Sequence, residues 1–318
     1  MTAQEQTPIP VIVIAGPTGT GKSALALAVA LALDGVIINA DSRQVYADFP
    51  IVTAQPTIRD MVKVPHKLYA FLPIRKKLSA GAYAVLARGE IVAALKQGKM
   101  PILVGGTGLY LQSLLSGIAP IPPVAPAISQ RWQEECQKQG SQALHAILRE
   151  RDPESAARLH PNDSQRITRA LEVLDGTGRP LGFWHSLPLP PSLYKTLSFC
   201  LNLGLDEISP RLEGRINAML DAGAIQEAEA AHLRCPDPGA PGWSGIGCAE
   251  LFKFITGQTD IETCKLSWLL NTRAYAKRQI TWFKRDSGMI HCRPGDISLI
   301  LQQAKKMFDL RNRQDLAL

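Results

Sequence analysis

The chain has 318 residues, the length of one large domain or two. Its 46% apolar and 20% charged residues exclude a disordered or fibrous chain, and its longest apolar run, Ala24–Leu33, is about half of what a membrane span needs. A formal charge of +7 points to an anionic partner, nucleic acid or a membrane surface, without choosing between them.

Met1 to Pro10 has no basic start, and Val11–Ala15 is too short an apolar run for a signal peptide, so a cytoplasmic protein is expected. Val11–Ala15 reads instead as a buried strand, followed by a helix over Lys22–Leu33 and a short strand over Val36–Asn39. A helix is expected over Ala82–Gln97 and a third short strand at Ile102–Val104, ended by Gly105 and Gly106. Strands alternating with helices predict an α/β fold with a parallel sheet, whose ligands sit beyond the carboxyl ends of the strands.

The pattern then changes. Pro120, Pro122, Pro123 and Pro126 form one proline cluster, and Pro188, Pro190 and Pro191 another. Between them the residues read as helices at Ser129–Gln139, Ser141–Glu150 and Gln165–Leu174, with Gly176 and Gly178 stopping the last. Proline makes stiff boundaries, so a helical insertion over 122–193, bracketed by two hinges, is expected within a core of 1–121 and 194–318. Leu197–Leu203 reads as a strand, Arg211–Ala222 and Ile225–Leu233 as helices, Pro236–Gly247 as a loop and Asp260–Arg285 as one long helix. Cys136, Cys200, Cys235, Cys248, Cys264 and Cys292 form no C-x-x-C pair, so neither a zinc site nor a redox motif is supported.

The residues Gly16, Pro17, Thr18, Gly19, Thr20, Gly21, Lys22 and Ser23 match G-x-x-x-x-G-K-[ST] between a predicted strand and a predicted helix. Glycines let the backbone wrap an anion with its N–H groups inward, and the helix N-terminus adds a positive field. Lys22 would reach the terminal phosphate and Ser23 would ligate Mg²⁺. The motif means phosphate, not ATP in particular, because a diphosphate fits the same cradle.

Asp41 follows the second strand and would face that cradle, as a general base, a metal ligand or simply a helix N-cap. Thr107 follows the third strand inside Gly105-Gly106-Thr107-Gly108, where glycines let the backbone approach a ligand closely. Arg211 and Arg215 share a helix face and could clamp a diphosphate or form a solvated stripe. From Lys265 to Arg285 there are six positive residues and no acid, with Arg273, Lys277 and Lys284 on one face suited to phosphates. Trp268, Tyr275 and Trp282 recur every seven residues, a stripe that reads as core packing. Gln165, Arg166 and Arg169 give the insertion a polar edge that could read RNA, and His66, among apolar residues, reads as structural.

Together these residues resemble the tRNA dimethylallyltransferase (tRNA isopentenyltransferase) family. The matching pieces are Gly16–Ser23, Asn39–Tyr46, Thr53–Thr57, Val104–Tyr110, His160–Asp163 with Gln165–Arg169, and Ala276–Trp282, which span nearly the whole chain. The resemblance implies a P-loop-kinase-like parallel sheet core with a helical insertion that grips the anticodon arm. It implies transfer of a dimethylallyl group from dimethylallyl diphosphate to N6 of the adenine 3′-adjacent to the anticodon of tRNA, with Mg²⁺ as cofactor, no membrane association and no obligate protein partner. In the family pattern Asp41 is the general base and Thr107 helps fix that site. Arg215, with Arg211 beside it, binds diphosphate, and the P-loop holds the prenyl diphosphate. Asp41, Ser42, Arg43, Gln44, Gln165, Arg166, Ile167, Thr168, Arg169, Arg273, Lys277, Arg278, Gln279, Thr281 and Lys284 fall in segments that contact tRNA.

The chain departs from the pattern at Ile246-Gly247-Cys248-Ala249-Glu250, where the family has Ile-Gly-Tyr followed by a basic residue, and at Ser129, where an arginine is common. An ATP-dependent small-molecule kinase would explain the P-loop but leave the basic helix unused. An adenylate prenyltransferase would need no RNA grip, and an RNA-binding GTPase would need an N-K-x-D motif, which the sequence lacks.

Overall fold

The first apolar run forms β1 (Ile9–Ala15), which turns through the P-loop into α1 (Lys22–Leu33) and returns as β2 (Gly35–Asn39) in a computed structural model that describes residues 8–308. There follow α2 (Ile58–Lys63), β3 (His66–Lys67), α3 (Ala80–Lys96), β4 (Met100–Gly105) and α4 (Gly108–Leu115). Next come α5 (Pro126–Arg151), α6 (Pro153–Arg158), α7 (Ser164–Thr177) and α8 (Leu181–Ser186). The chain continues as β5 (Tyr194–Leu201), α9 (Leu205–Asp221), α10 (Ala224–Arg234), a 3-10 turn at Pro241–Ser244, α11 (Cys248–Ile255), α12 (Ile261–Phe283), β6 (Ile290–Cys292) and α13 (Ile297–Phe308).

The strands make one sheet in the order β3-β2-β4-β1-β5-β6, and every pairing is parallel. The expected α/β architecture is therefore the observed one. A parallel sheet is covered on both faces, which is why β1, β2 and β4 read as unbroken apolar runs. Alternation sorts their side chains between two cores. Val11, Val13, Val36, Ile38 and Leu103 pack under α3 and α4, while Ile12, Ile14, Ile37 and Ile102 pack under α1 and α13. Each such side chain contributes about 1.5–3 kcal/mol on burial.

Two compact units result: residues 8–115 with 192–308, and Ser116–Pro191. The second unit is helical. Trp132, Leu144, Leu148, Ile167 and Leu171 make its core, and the Asp175 carboxylate accepts from Trp132 Nε1 at 2.8 Å and from Arg131 and Arg151. Gly140, at φ 79°, interrupts α5 where two helices were expected.

Several elements differ from expectation. Helix α9 starts at Leu205 rather than Arg211 and carries Pro210 inside it. Asp206 and Glu207 in its first turn favour the earlier start, because acids there meet the positive end of the helix. Helix α11 was not expected; it begins where the Glu250 carboxylate accepts the Gly247 N–H at 2.6 Å. Strands β3 and β6, of two and three residues, are too short to leave a periodic signal.

Candidate active site

Register brings three strand ends level: Ala15 of β1 pairs with Gly105 of β4, and Val104 pairs with Asn39 of β2. The P-loop, Asp41 and Thr107 therefore open into one crevice.

Gly16, Gly19 and Gly21 all have positive φ, as a loop that wraps back on itself requires. The Pro17 carbonyl braces the loop from within, accepting from the buried Thr20 hydroxyl at 2.8 Å and from Lys22 Nζ at 2.7 Å. No side chain caps α1, so its first-turn N–H groups are left for an anion. Burial lowers the Lys22 pKa from 10.5 to about 8; Asp41 opposes this, and Arg215 adds to it.

Asp41 is held by its own turn. Its N–H donates to Asn39 Oδ1 at 2.8 Å, and its Oδ1 accepts the Arg43 N–H at 2.8 Å. Asn39 in turn donates to Leu68 O, tying β2 to the segment after β3. Thr107 clamps the next residue: its Oγ1 accepts the Ser42 N–H at 2.9 Å and donates to Ser42 Oγ at 3.2 Å. The structure thus makes Thr107 a brace of the Asp41 turn.

Sequence reasoning read the glycines around Thr107 as room for a ligand. Here the protein itself fills that room. A Cβ on Gly105 would lie 2.1 Å from the Ala40 carbonyl, one on Gly106 2.1 Å from Gln279 Nε2, and one on Gly108 1.9 Å from Trp282 Nε1. Gly105→Ala is expected to destabilise the fold by about 3 kcal/mol, because Ala40 is hydrogen-bonded to Val104 and neither strand end can retreat. A urea unfolding midpoint equal to that of the unaltered protein would contradict this packing.

Arg215 lies half-buried on α9 within reach of the same charges; burial lowers its pKa and Asp41 opposes that shift. Arg211 is exposed one turn earlier on the same helix. Three phenols that sequence reasoning gave no role in the site also feel the Asp41 charge. Burial raises Tyr69, and pushes Tyr110 and Tyr275 up to about 12, with the Asp41 charge adding to each. Tyr110 had a signal in the sequence, directly after the glycine turn, and Tyr275 lay in the stripe read as core packing. That stripe is split: Trp268 is buried in a core, Tyr275 sits by Thr107 and Asp41, and Trp282 is partly exposed against Gly108.

The residues expected to meet RNA fall into two groups. Arg273, Lys277, Thr281 and Lys284 are exposed along α12, and Arg273, Lys277 and Lys284 have no carboxylate partner among the described residues. Arg278 is exposed too and lies over the Tyr275 ring at 5.7 Å. In the second unit Gln165, Arg166 and Arg169 are exposed on α7, with Arg166 near Asp163 and Arg169 near Glu172.

The others are turned inward. Arg43 donates to Ser244 Oγ at 2.8 Å, and the Gln44 amide donates to Thr53 O and Ala54 O. Ile167 and Thr168 are buried within the second unit. Gln279 is 4% exposed: its Oε1 accepts the Thr18 N–H at 2.9 Å and its Nε2 donates to Gly106 O at 2.8 Å. It therefore fastens α12 to both the P-loop and the glycine turn. Cys248, where the family has tyrosine, is buried with Trp243 and Trp268, and Ser129 lies in the first turn of α5. His66 sits on edge strand β3, paired with Ile37. No described helix is long and apolar enough to cross a membrane.

The family model described as IPP transferase matches residues 44–286. A tRNA dimethylallyltransferase of Oleidesulfovibrio alaskensis is 53% identical over 281 residues, covering 88% of this chain and 92% of that one. One from Rhodospirillum centenum is 42% identical over 86% of this chain and 88% of its own. Among solved structures, a tRNA isopentenylpyrophosphate transferase from Bacillus halodurans superposes with a TM-score of 0.69 at 28% identity, covering 95% of this chain and 99% of that one. A eukaryotic dimethylallyltransferase acting on tRNA gives 0.75 at 27% identity, over 95% of this chain and 77% of its own. The chain belongs to the IPP transferase family.

Proposed function

We propose that the protein transfers a dimethylallyl group from dimethylallyl diphosphate to N6 of the adenosine 3′-adjacent to the anticodon of tRNA, in the cytoplasm. The observation that carries this reading is the fastening of a basic helix to a phosphate cradle beside a carboxylate. Gln279 joins α12 to the P-loop, and the Asp41 charge acts on both Lys22 and Arg215, raising the pKa of each. A kinase would need the cradle but not the exposed Arg273, Lys277 and Lys284.

The adenine leaves its stack to reach the crevice. Its N6 attacks C1 of the allylic chain as the C1–O bond to diphosphate breaks. Lys22, Arg215 and the α1 N-terminus stabilise the departing charge. Asp41 takes the N6 proton, and Thr107 keeps the Asp41 turn in place. Gln165, Arg166 and Arg169 are the RNA contacts proposed for the second unit.

Magnesium fits the donors present. Among the described residues no three His, Cys, Asp or Glu side chains cluster, and Ser23 offers an exposed hydroxyl on the first turn of α1. Mg²⁺ keeps several waters and takes phosphate oxygens with one or two protein oxygens, so a single hydroxyl beside a diphosphate suits it. Bound there, it would neutralise leaving-group charge.

Replacing Arg273, Lys277 and Lys284 together by Ala tests the RNA face. The KM for an anticodon stem-loop is expected to rise about tenfold or more, with a shallower salt dependence, because three phosphate contacts are lost. Chelating Mg²⁺ is expected to abolish transfer in the unaltered protein. An unchanged KM for RNA would remove α12 from the interface.

A further inference from the structure

The β1–β4 register ties the two halves of the site as far as Ala15 and Gly105. Beyond that point the chain leaves as the P-loop on one side and as the glycine turn on the other, and Gln279 carries the tie onward. Its Oε1 accepts the Thr18 N–H at 2.9 Å, and its Nε2 donates to the Gly106 carbonyl at 2.8 Å. One contact is a donor and the other an acceptor, so a single orientation of the amide satisfies both. The amide is planar, so loop and turn are held at one spacing. Both partners adjoin the chemistry. Thr18 lies in the loop that would hold the leaving diphosphate. Gly106 stands between Gly105, whose Cβ would lie 2.7 Å from Asp41 N, and Thr107, whose Oγ1 accepts the Ser42 N–H at 2.9 Å.

The loop has other braces of its own. Thr20 and Lys22 both donate to the Pro17 carbonyl, and a Cβ on Gly19 would lie 2.8 Å from Leu212 of α9. Loss of the Gln279 amide would therefore leave a cradle that binds an anion and would change where it sits relative to Asp41. The place of Gln279 on α12 agrees. At 4% exposure it offers no surface to RNA, and with Tyr275 and Trp282 it follows the i, i+4, i+7 spacing of one helix face, turned away from Arg273, Lys277 and Lys284. We infer that Gln279 is a positioning residue for the transfer rather than an RNA contact: its amide sets the distance from the diphosphate cradle to the Asp41 turn, and so the alignment of C1, its leaving oxygen and N6. The C1–O bond breaks, the C1–N6 bond forms and Asp41 takes the N6 proton, while Gln279 exchanges neither proton nor electron pair. The inference rests on the proposed prenyl transfer.

Two substitutions test it. Gln279→Met keeps the length of the side chain and loses both hydrogen bonds. Gln279→Asn keeps the amide but is one methylene short, so it reaches one partner at most. For each variant and the unaltered protein, calorimetry gives the Kd for inorganic diphosphate with Mg²⁺, the Kd for the anticodon stem-loop, and the fraction of molecules that bind. The kcat for dimethylallyl transfer is then taken at saturating donor and RNA, per binding-competent molecule, which cancels any loss of folded protein. In both variants kcat is expected to fall about 10–100-fold, the scale of a misplacement of about 1 Å or less, while both Kd values stay within about threefold. An unchanged kcat would overturn the inference. So would a weaker Kd for the stem-loop with kcat intact, which would return Gln279 to the RNA interface. Failure of the unaltered protein to transfer dimethylallyl at all would instead remove the reading beneath it.

Discussion

Asp41→Asn is expected to lower kcat by about 10²–10⁴-fold, the contribution of a positioned general base, while the urea unfolding midpoint stays close to that of the unaltered protein. The asparagine keeps the oxygen that accepts the Arg43 N–H at 2.8 Å, so the turn survives. What it loses is the capacity to take a proton and the negative charge that acts on Lys22 and Arg215. Asp41 raises the pKa of Lys22 and of Arg215, so both shift further down in the variant. A fully active Asp41→Asn protein would make Asp41 a turn residue only, and the proton would need another acceptor.

Lys22→Met has the other large expected effect, a fall of about 10²–10³-fold in kcat/KM, read mainly in the KM for the diphosphate donor. The pH dependence follows from the same group. Its pKa is lowered from 10.5 to about 8 in the folded protein, so between those values the unfolded chain binds more protons. Raising pH through this window therefore stabilises the donor-free fold while it removes the charge that holds the diphosphate. Donor binding is expected to weaken above about pH 8 and to take up a proton there, measured by calorimetry in two buffers of different ionisation enthalpy. Lys22→Met should abolish both the uptake and the pH dependence; a variant that retained them would move the titrating group elsewhere.

The sheet and the cradle were legible in the sequence because their signals are local. A run of buried β-branched residues, a glycine pattern and a helix start lie within the first 33 residues, and α1 occupies the expected span. The Asp41 and Thr107 strand ends were legible for the same reason. Gln279 was legible only as a member of a basic helix: its partners, Thr18 and Gly106, are 261 and 173 positions away, and spacing along α12 carries no trace of them. The glycines at 105, 106 and 108 announced a close approach, but a sequence does not say whether a ligand or a side chain will make it. Arg43 and Gln44 illustrate the same limit. They sit in a segment expected to meet RNA, yet here their side chains hold the protein's own turns together.

The central claim, that the cradle activates a prenyl diphosphate for attack by an RNA adenine, is tested most directly by where the carbon goes. Labelled dimethylallyl diphosphate, Mg²⁺ and an unmodified anticodon stem-loop with consecutive adenines would be incubated with the protein, with AMP and ATP as parallel acceptors, and the digested nucleosides weighed by mass spectrometry. The account predicts label on N6 of the adenosine 3′-adjacent to the anticodon, and none on AMP. Label on AMP with unlabelled RNA, or steady ATP turnover with no transfer, would contradict it.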